Sequence, residues 1–171
     1  MWRNAAYRSG QFFRGFRWAL QPEEVRAVCS LLTDQERLLF AAMQGRDRRH
    51  SMDMLRWLER RTPQDVRPSD NLLAAALLHD VGKGSLTVWD RVVFVLLGAF
   101  SIRLRRWVGR QDGWSWRRGL WRLEHHSRLG AEMLAQAGTR PRVVELVARH
   151  KDTSAAGDED LAWLIAADSA C

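Results

Sequence analysis

Apolar residues recur three and four positions apart along almost the whole chain. No polar and apolar alternation runs long enough to suggest a sheet. A first amphipathic segment covers about residues 4 to 20. Pro22 suits the first turn of a helix running to about Leu32, and Thr33 with Glu36 forms a capping box for "DQERLLFAAM". A helix from about Arg48 to Arg61 ends at "TPQDVRPSD". Asp70 is placed to cap "NLLAAALLHD", with Gly82 and Gly84 to stop it. A long segment, 86 to 121, holds the apolar window "VVFVLLGAF" and then an Arg/Trp-rich stretch. Helices at about 122 to 137, 141 to 151 and 159 to 169 complete the chain. The pattern predicts an all-α, single-domain helical bundle. Residues 1–44 supply N-terminal helices packed on a core of 45–171, with 86–121 as an insertion.

Composition changes this picture little. The 171 residues can bury a sizeable core, and 46% hydrophobic with 27% charged residues fits a globular protein. The apolar window is shorter than the roughly 20 residues of a membrane span. The basic start "MWRNAAYRSGQFFRGFRWAL" has no continuous apolar stretch or cleavage site of the secretory kind. Cys29 and Cys171 match no metal spacing and no disulfide framework, so a cytoplasmic location is expected. The net charge of +7, almost all from arginine, favours anionic partners. Lys83 and Lys151 are the only lysines.

The informative polar residues are those that share a face with the core. His50 lies with Met54, Trp57 and Leu58, and His79 follows Leu72, Ala75 and Ala76. His126 lies with Leu129, Gly130, Met133 and Leu134. His150 lies with Val143, Leu146 and Val147, and Asp168 with Leu161, Leu164 and Ile165. His125 falls instead beside Arg128 and Glu132. Any one inward histidine is most simply a hydrogen-bonded core residue. Five helices each aiming a His or Asp inward need a common compensation, because burying that many titratable groups is costly. A divalent metal supplies it, taking neutral imidazoles and carboxylates together. Adjacent His79 and Asp80 point about 100° apart on a helix, so both can reach one ion only where the helix finishes.

These residues resemble a known family. "LLHDVGK" is similar to the HD motif of the HD-domain metal-dependent phosphohydrolase superfamily. The likeness extends through "RRHSMDML", "EHHSRLGAEML", "LVARHKD" and "IAADSA", over about residues 45 to 171. It implies an HD-domain helical bundle with His50, His79, Asp80 and Asp168 as primary metal ligands. It implies further that His126 and His150 serve a second ion, with Asp80 as the bridge. The GYP element of the cyclic-di-GMP phosphodiesterases is absent, "VGKGSLTVWDRVV" standing in its place, and "ARHKD" offers one histidine where two-metal relatives often have a tandem pair.

The implied cofactor is one or two divalent ions, among Mn, Fe, Mg, Ni, Co and Zn. The implied activity is hydrolysis of a phosphate ester, in a nucleotide or another small phosphorylated metabolite, by a metal-activated hydroxide. Asp80 and Lys83 are the candidate catalytic residues. Lys83 suits a substrate phosphate as well as it suits the helix dipole. Arg49 and Lys151 are weaker phosphate candidates. The same four histidines and two aspartates also resemble the HD-fold di-iron oxygenases, and a non-catalytic metal- or nucleotide-binding regulatory module is a third reading.

"RLRRWVGRQDGWSWRRGLWR" (103 to 122) carries seven arginines and four tryptophans. This suits a nucleic-acid backbone with stacked bases, a lid over the site, or a peripheral contact of residues 92–122 with anionic membrane. Packed helix with a solvated basic loop is the plainest reading.

Overall fold

The computed structural model describes residues 20–61, 68–85, 88–101, 103, 107–111 and 114–171. The helix expected over 4–20 therefore lies outside the described residues, as does part of the Arg/Trp stretch. Among the described residues there are eight α-helices and no strand. They are α1 (Pro22–Leu31), α2 (Asp34–Ala42), α3 (Gly45–Arg61), α4 (Asp70–Leu78), α5 (Val88–Phe100), α6 (Ser115–Gln136), α7 (Pro141–Arg149) and α8 (Glu159–Ala170), with one 3-10 turn at Val81–Lys83. The chain is all-α, as its periodicity predicts.

The core is built around α4. Every residue from Leu72 to Leu78 is buried, because this helix is apolar on all sides and has no face to give to water. Helices α1, α2, α3, α7 and α8 all pack on it. Ala74, Ala75 and Ala76, fully enclosed, keep its girth small. The cap of α4 differs from expectation. Ser69, not Asp70, is the N-cap: its hydroxyl accepts from Leu72 N at 3.0 Å and donates to Asp160 of α8 at 2.9 Å. Asp70 sits in the first turn, where its charge suits the dipole. The Thr33–Glu36 capping box on α2 is present as expected.

Helix α6 begins at Ser115, earlier than the expected residue 122. The buried stripe Gly119, Leu123, His126, Gly130 and Leu134 is continuous from its first turns. Gly119 is tolerated inside the helix because Asp90 of α5 fills the space beside it: a Cβ there would lie 2.8 Å from the Asp90 carboxyl carbon. Among its described residues the insertion includes α5 and the first two turns of α6.

Two ion pairs fasten α1 to α3. Glu24 of α1, 4% exposed, accepts from Arg49 at 2.5 and 3.0 Å and pairs with Arg56, both on α3. Burial pushes the Glu24 carboxyl up, but the Arg49 bond and the two guanidinium charges leave it below the usual value.

Candidate metal centre

The HD pair lies just past the end of its helix. Helix α4 closes at Leu78, His79 is its C-cap, and Asp80 takes φ −98°, ψ 4° before the 3-10 turn. Gly82 does not end the helix by a left-handed twist. That conformation belongs to Gly84, at φ 59°. Gly82 serves another purpose, because a Cβ on it would overlap the His126 carbonyl oxygen and stand 2.5 Å from Gly130 N. The turn therefore lies against the backbone of α6, and Asp80 comes beside His126.

Six of the predicted residues meet. Ligand atoms of His50, His79 and Asp168 form one group, and those of Asp80, His126 and His150 form a second. Within each group all lie within 4.8 Å of one another. His50 Nε2 is 3.1 Å from Asp168 Oδ1, and His79 Nε2 is 3.7 Å from the same oxygen. Asp80 joins the groups: its Oδ2 is 3.3 Å from His79 Nε2, and its Oδ1 is 3.6 Å from His126 Nε2. The rings of His50, His79, His150 and His126 follow one another edge to face, with centroids 5.2 to 5.3 Å apart. The adjacent pair His79 and Asp80 is thus divided between two groups.

The donor chemistry fits a cation. The Nδ1 atoms of His79, His126 and His150 each bond the carbonyl three residues earlier, on Ala76, Leu123 and Val147, at 3.0, 2.7 and 2.7 Å. Nδ1–H must donate there, so in neutral rings the lone pair is on Nε2. Those three Nε2 atoms and Asp80 Oδ1 are buried and make no hydrogen bond. Three of these orphans, on Asp80, His126 and His150, fall in the second group and the fourth, on His79, in the first, and such unsatisfied buried atoms are what metals satisfy.

The electrostatics agree. Burial holds His126 down to about 4, against the pull of Asp80. Burial, and then His79 and His126, hold His150 down to about 3. Both rings are neutral near pH 7, the form that ligates. Burial also pulls His79 down, but the Asp80 and Asp168 carboxylates outweigh it and raise its pKa. Burial opposes ionisation of Asp80 and Asp168. The imidazoles and lysines around them nevertheless hold both well below the usual carboxylate range.

Both lysines reach this centre. Lys83 Nζ lies 2.5 Å from Asp80 Oδ2, and Lys151 Nζ lies 2.6 Å from Asp168 Oδ2. Each lysine of the chain is thus paired with a carboxylate of the centre. A cavity of about 330 Å³ adjoins them, lined by Lys83, Phe94, Leu123, Glu124, His126 and Lys151. Phe94, Leu123 and Glu124 carry no signal of this role in the sequence: the first two read as core, and Glu124 as one more helix-surface charge. Arg49 does not line this cavity. Glu24 holds its guanidinium at the α1–α3 contact. His125 also stays apart, its Nδ1 on the Trp121 carbonyl and its ring stacked on the Trp121 indole.

A family model described as "HD domain" matches residues 48–167, from within the helix that carries His50 to the residue before Asp168. No curated protein and no solved structure matches the chain. The matched span takes in more than half of the sequence and five of the six residues gathered here, and the chain belongs to the HD domain family.

Proposed function

We propose that the protein is a metal-dependent phosphohydrolase, a phosphomonoesterase or phosphodiesterase, acting on a nucleotide or another small phosphorylated metabolite. The observation that carries this reading is the Asp80 carboxylate, with one oxygen turned to each of two ligand groups. His50, His79 and Asp168 would hold one ion, His126 and His150 the other, and Asp80 both. A divalent pair supplies a hydroxide nucleophile at neutral pH and draws charge from phosphoryl oxygens.

The chain's own residues do the rest. The Nδ1 bonds to α4, α6 and α7 backbone fix three imidazoles in the ligating tautomer. Lys83 and Lys151, on the wall of the cavity, offer ammonium groups to a phosphate. Phe94 and Leu123 give that cavity an apolar side for the rest of the substrate. Its volume suits a small metabolite.

The test is a metal count on protein purified without added metal, followed by a panel of phosphomonoesters and phosphodiesters with Mn²⁺, Mg²⁺, Co²⁺ and Ni²⁺. Turnover that a chelator abolishes and metal restores is the expected result. A stoichiometric di-iron site with a mixed-valent signal and oxygen consumption would replace this reading with the oxygenase. Bound metal with no turnover of any ester would replace it with a regulatory module.

A further inference from the structure

Helix α5 presents two faces. Asp90 is buried against Gly119 of α6, and Phe94, one turn on, lines the cavity. The opposite stripe, Val92, Val95, Leu96 and Ala99, is spaced as one helical face and is exposed. Val95 is 59% exposed and Leu96 57%. The tryptophans that follow are exposed as well, Trp107 at 72% and Trp114 at 81%. Large aliphatic and indole groups set in water this way are costly, and they mark a surface that meets an apolar phase.

Charge tells which apolar phase. Residues 91–123 hold eight arginines and one acidic residue, Asp112, a surplus of seven. That equals the net charge of the whole chain: outside this segment nineteen basic residues balance nineteen acidic ones. Arg103, Arg110 and Arg118 are exposed. A nucleic acid would take the arginines and stack on the indoles, but it gives Val95 and Leu96 nothing to enter. An anionic bilayer takes all three. Aliphatic side chains enter the acyl boundary, indoles sit at headgroup level, and guanidinium groups bind lipid phosphate. No helix of the described residues is long and apolar enough to cross a membrane, so the contact is peripheral.

We infer that the exposed face of α5, with the exposed Arg103, Trp107, Arg110, Trp114 and Arg118 after it, forms a docking surface for an anionic lipid membrane. The helix that lies on the bilayer also carries Phe94, so docking sets the cavity beside the membrane surface. The inference does not depend on the phosphohydrolase reading, and its test does not use hydrolysis.

The full chain is sedimented with phosphatidylcholine vesicles and with vesicles containing about 30% phosphatidylglycerol, at about 50 and 500 mM NaCl. Binding to the anionic vesicles at low salt, with a blue shift of tryptophan emission, is expected. A Val95→Asp/Leu96→Asp variant, altered only at exposed positions, should bind them at least about tenfold more weakly with its circular dichroism unchanged. An Arg103→Glu/Arg110→Glu/Arg118→Glu variant should lose the preference for anionic over neutral vesicles. Equal binding to both vesicles by the unaltered chain would overturn the inference. So would undiminished binding of the aspartate variant, which would leave charge attraction alone. A dimer in light scattering that the aspartate variant breaks would assign the apolar stripe to a second copy instead.

Discussion

Gly82 and Gly130 touch backbone to backbone. A Cβ on Gly82 would stand 2.5 Å from Gly130 N, and one on Gly130 would stand 3.2 Å from Gly82 N. The contact holds the turn after the HD pair against α6 and sets the approach of Asp80 to His126.

Gly82→Ala should therefore damage both stability and metal content. Neither obstacle is a flexible side chain, so the turn has to shift. The cost is about 3 kcal/mol, a fall in Tm of roughly 10 °C. Gly138→Ala, where nothing lies within 4 Å of the added atom, is the comparison, with only its φ of 71° to oppose it. Thermal unfolding with a metal count on each variant decides the matter. A Gly82→Ala loss no larger than that of Gly138→Ala, with metal content unchanged, would show that the contact with α6 does not govern Gly82.

Asp80→Asn keeps the shape of the side chain and removes the charge that faces His79, His126 and Lys83. Metal affinity should fall about 100-fold or more, with any phosphoesterase activity lost in step. Titration with Mn²⁺ followed calorimetrically measures the first, and retention of full stoichiometry would remove Asp80 from the centre.

His126→Ala and His150→Ala should each take one ion from the protein and leave the other. His50→Ala should remove the ion that they spare. Elemental analysis of the three variants reads this directly. An unchanged count in the first two would make them core histidines and the site mononuclear.

Stability of the metal-free protein should fall as pH is lowered from about 6.5 to about 4. His126 and His150 have pKa values depressed to about 4 and about 3, so the unfolded chain binds their protons first in this window. His79, with a raised pKa, is protonated in both states there and adds no slope; its share is lost only as pH rises through its folded value. Asp80 and Asp168, with depressed values, add a further loss below about pH 4. Urea midpoints across pH 4 to 8 test the sign. Stability that rose on acidification below 6.5 would contradict neutral, buried His126 and His150.

The inward residues were legible because helical period alone fixes which face a residue occupies. His50, His79, His126, His150 and Asp168 each stand one or two turns from buried leucines, valines, alanines or methionines, and the bundle brings them together. The features that were not legible depend on contacts between elements. Ser69 and Asp70 are equally good caps in sequence, and only the reach to Asp160 selects the serine. Gly82 and Gly84 read alike as stops, until one meets α6 and the other takes a positive φ. Lys83 read as a phosphate or dipole partner, and its contact is the neighbouring Asp80. The early start of α6 takes in Gly119, whose missing side chain leaves room for Asp90 of α5, a contact between elements.

The pairing of Lys83 with Asp80 and Lys151 with Asp168 has a chemical consequence. All other side-chain cations are guanidinium groups or imidazoles, so an amine-selective acylating reagent meets, besides the α-amino group, only these two side chains. A cation entering the centre competes with both ammonium groups for the same carboxylate oxygens. Acylation rates at two peptides, resolved by mass spectrometry, would then report occupancy of each half of the centre separately, without a chromophore and without a substrate.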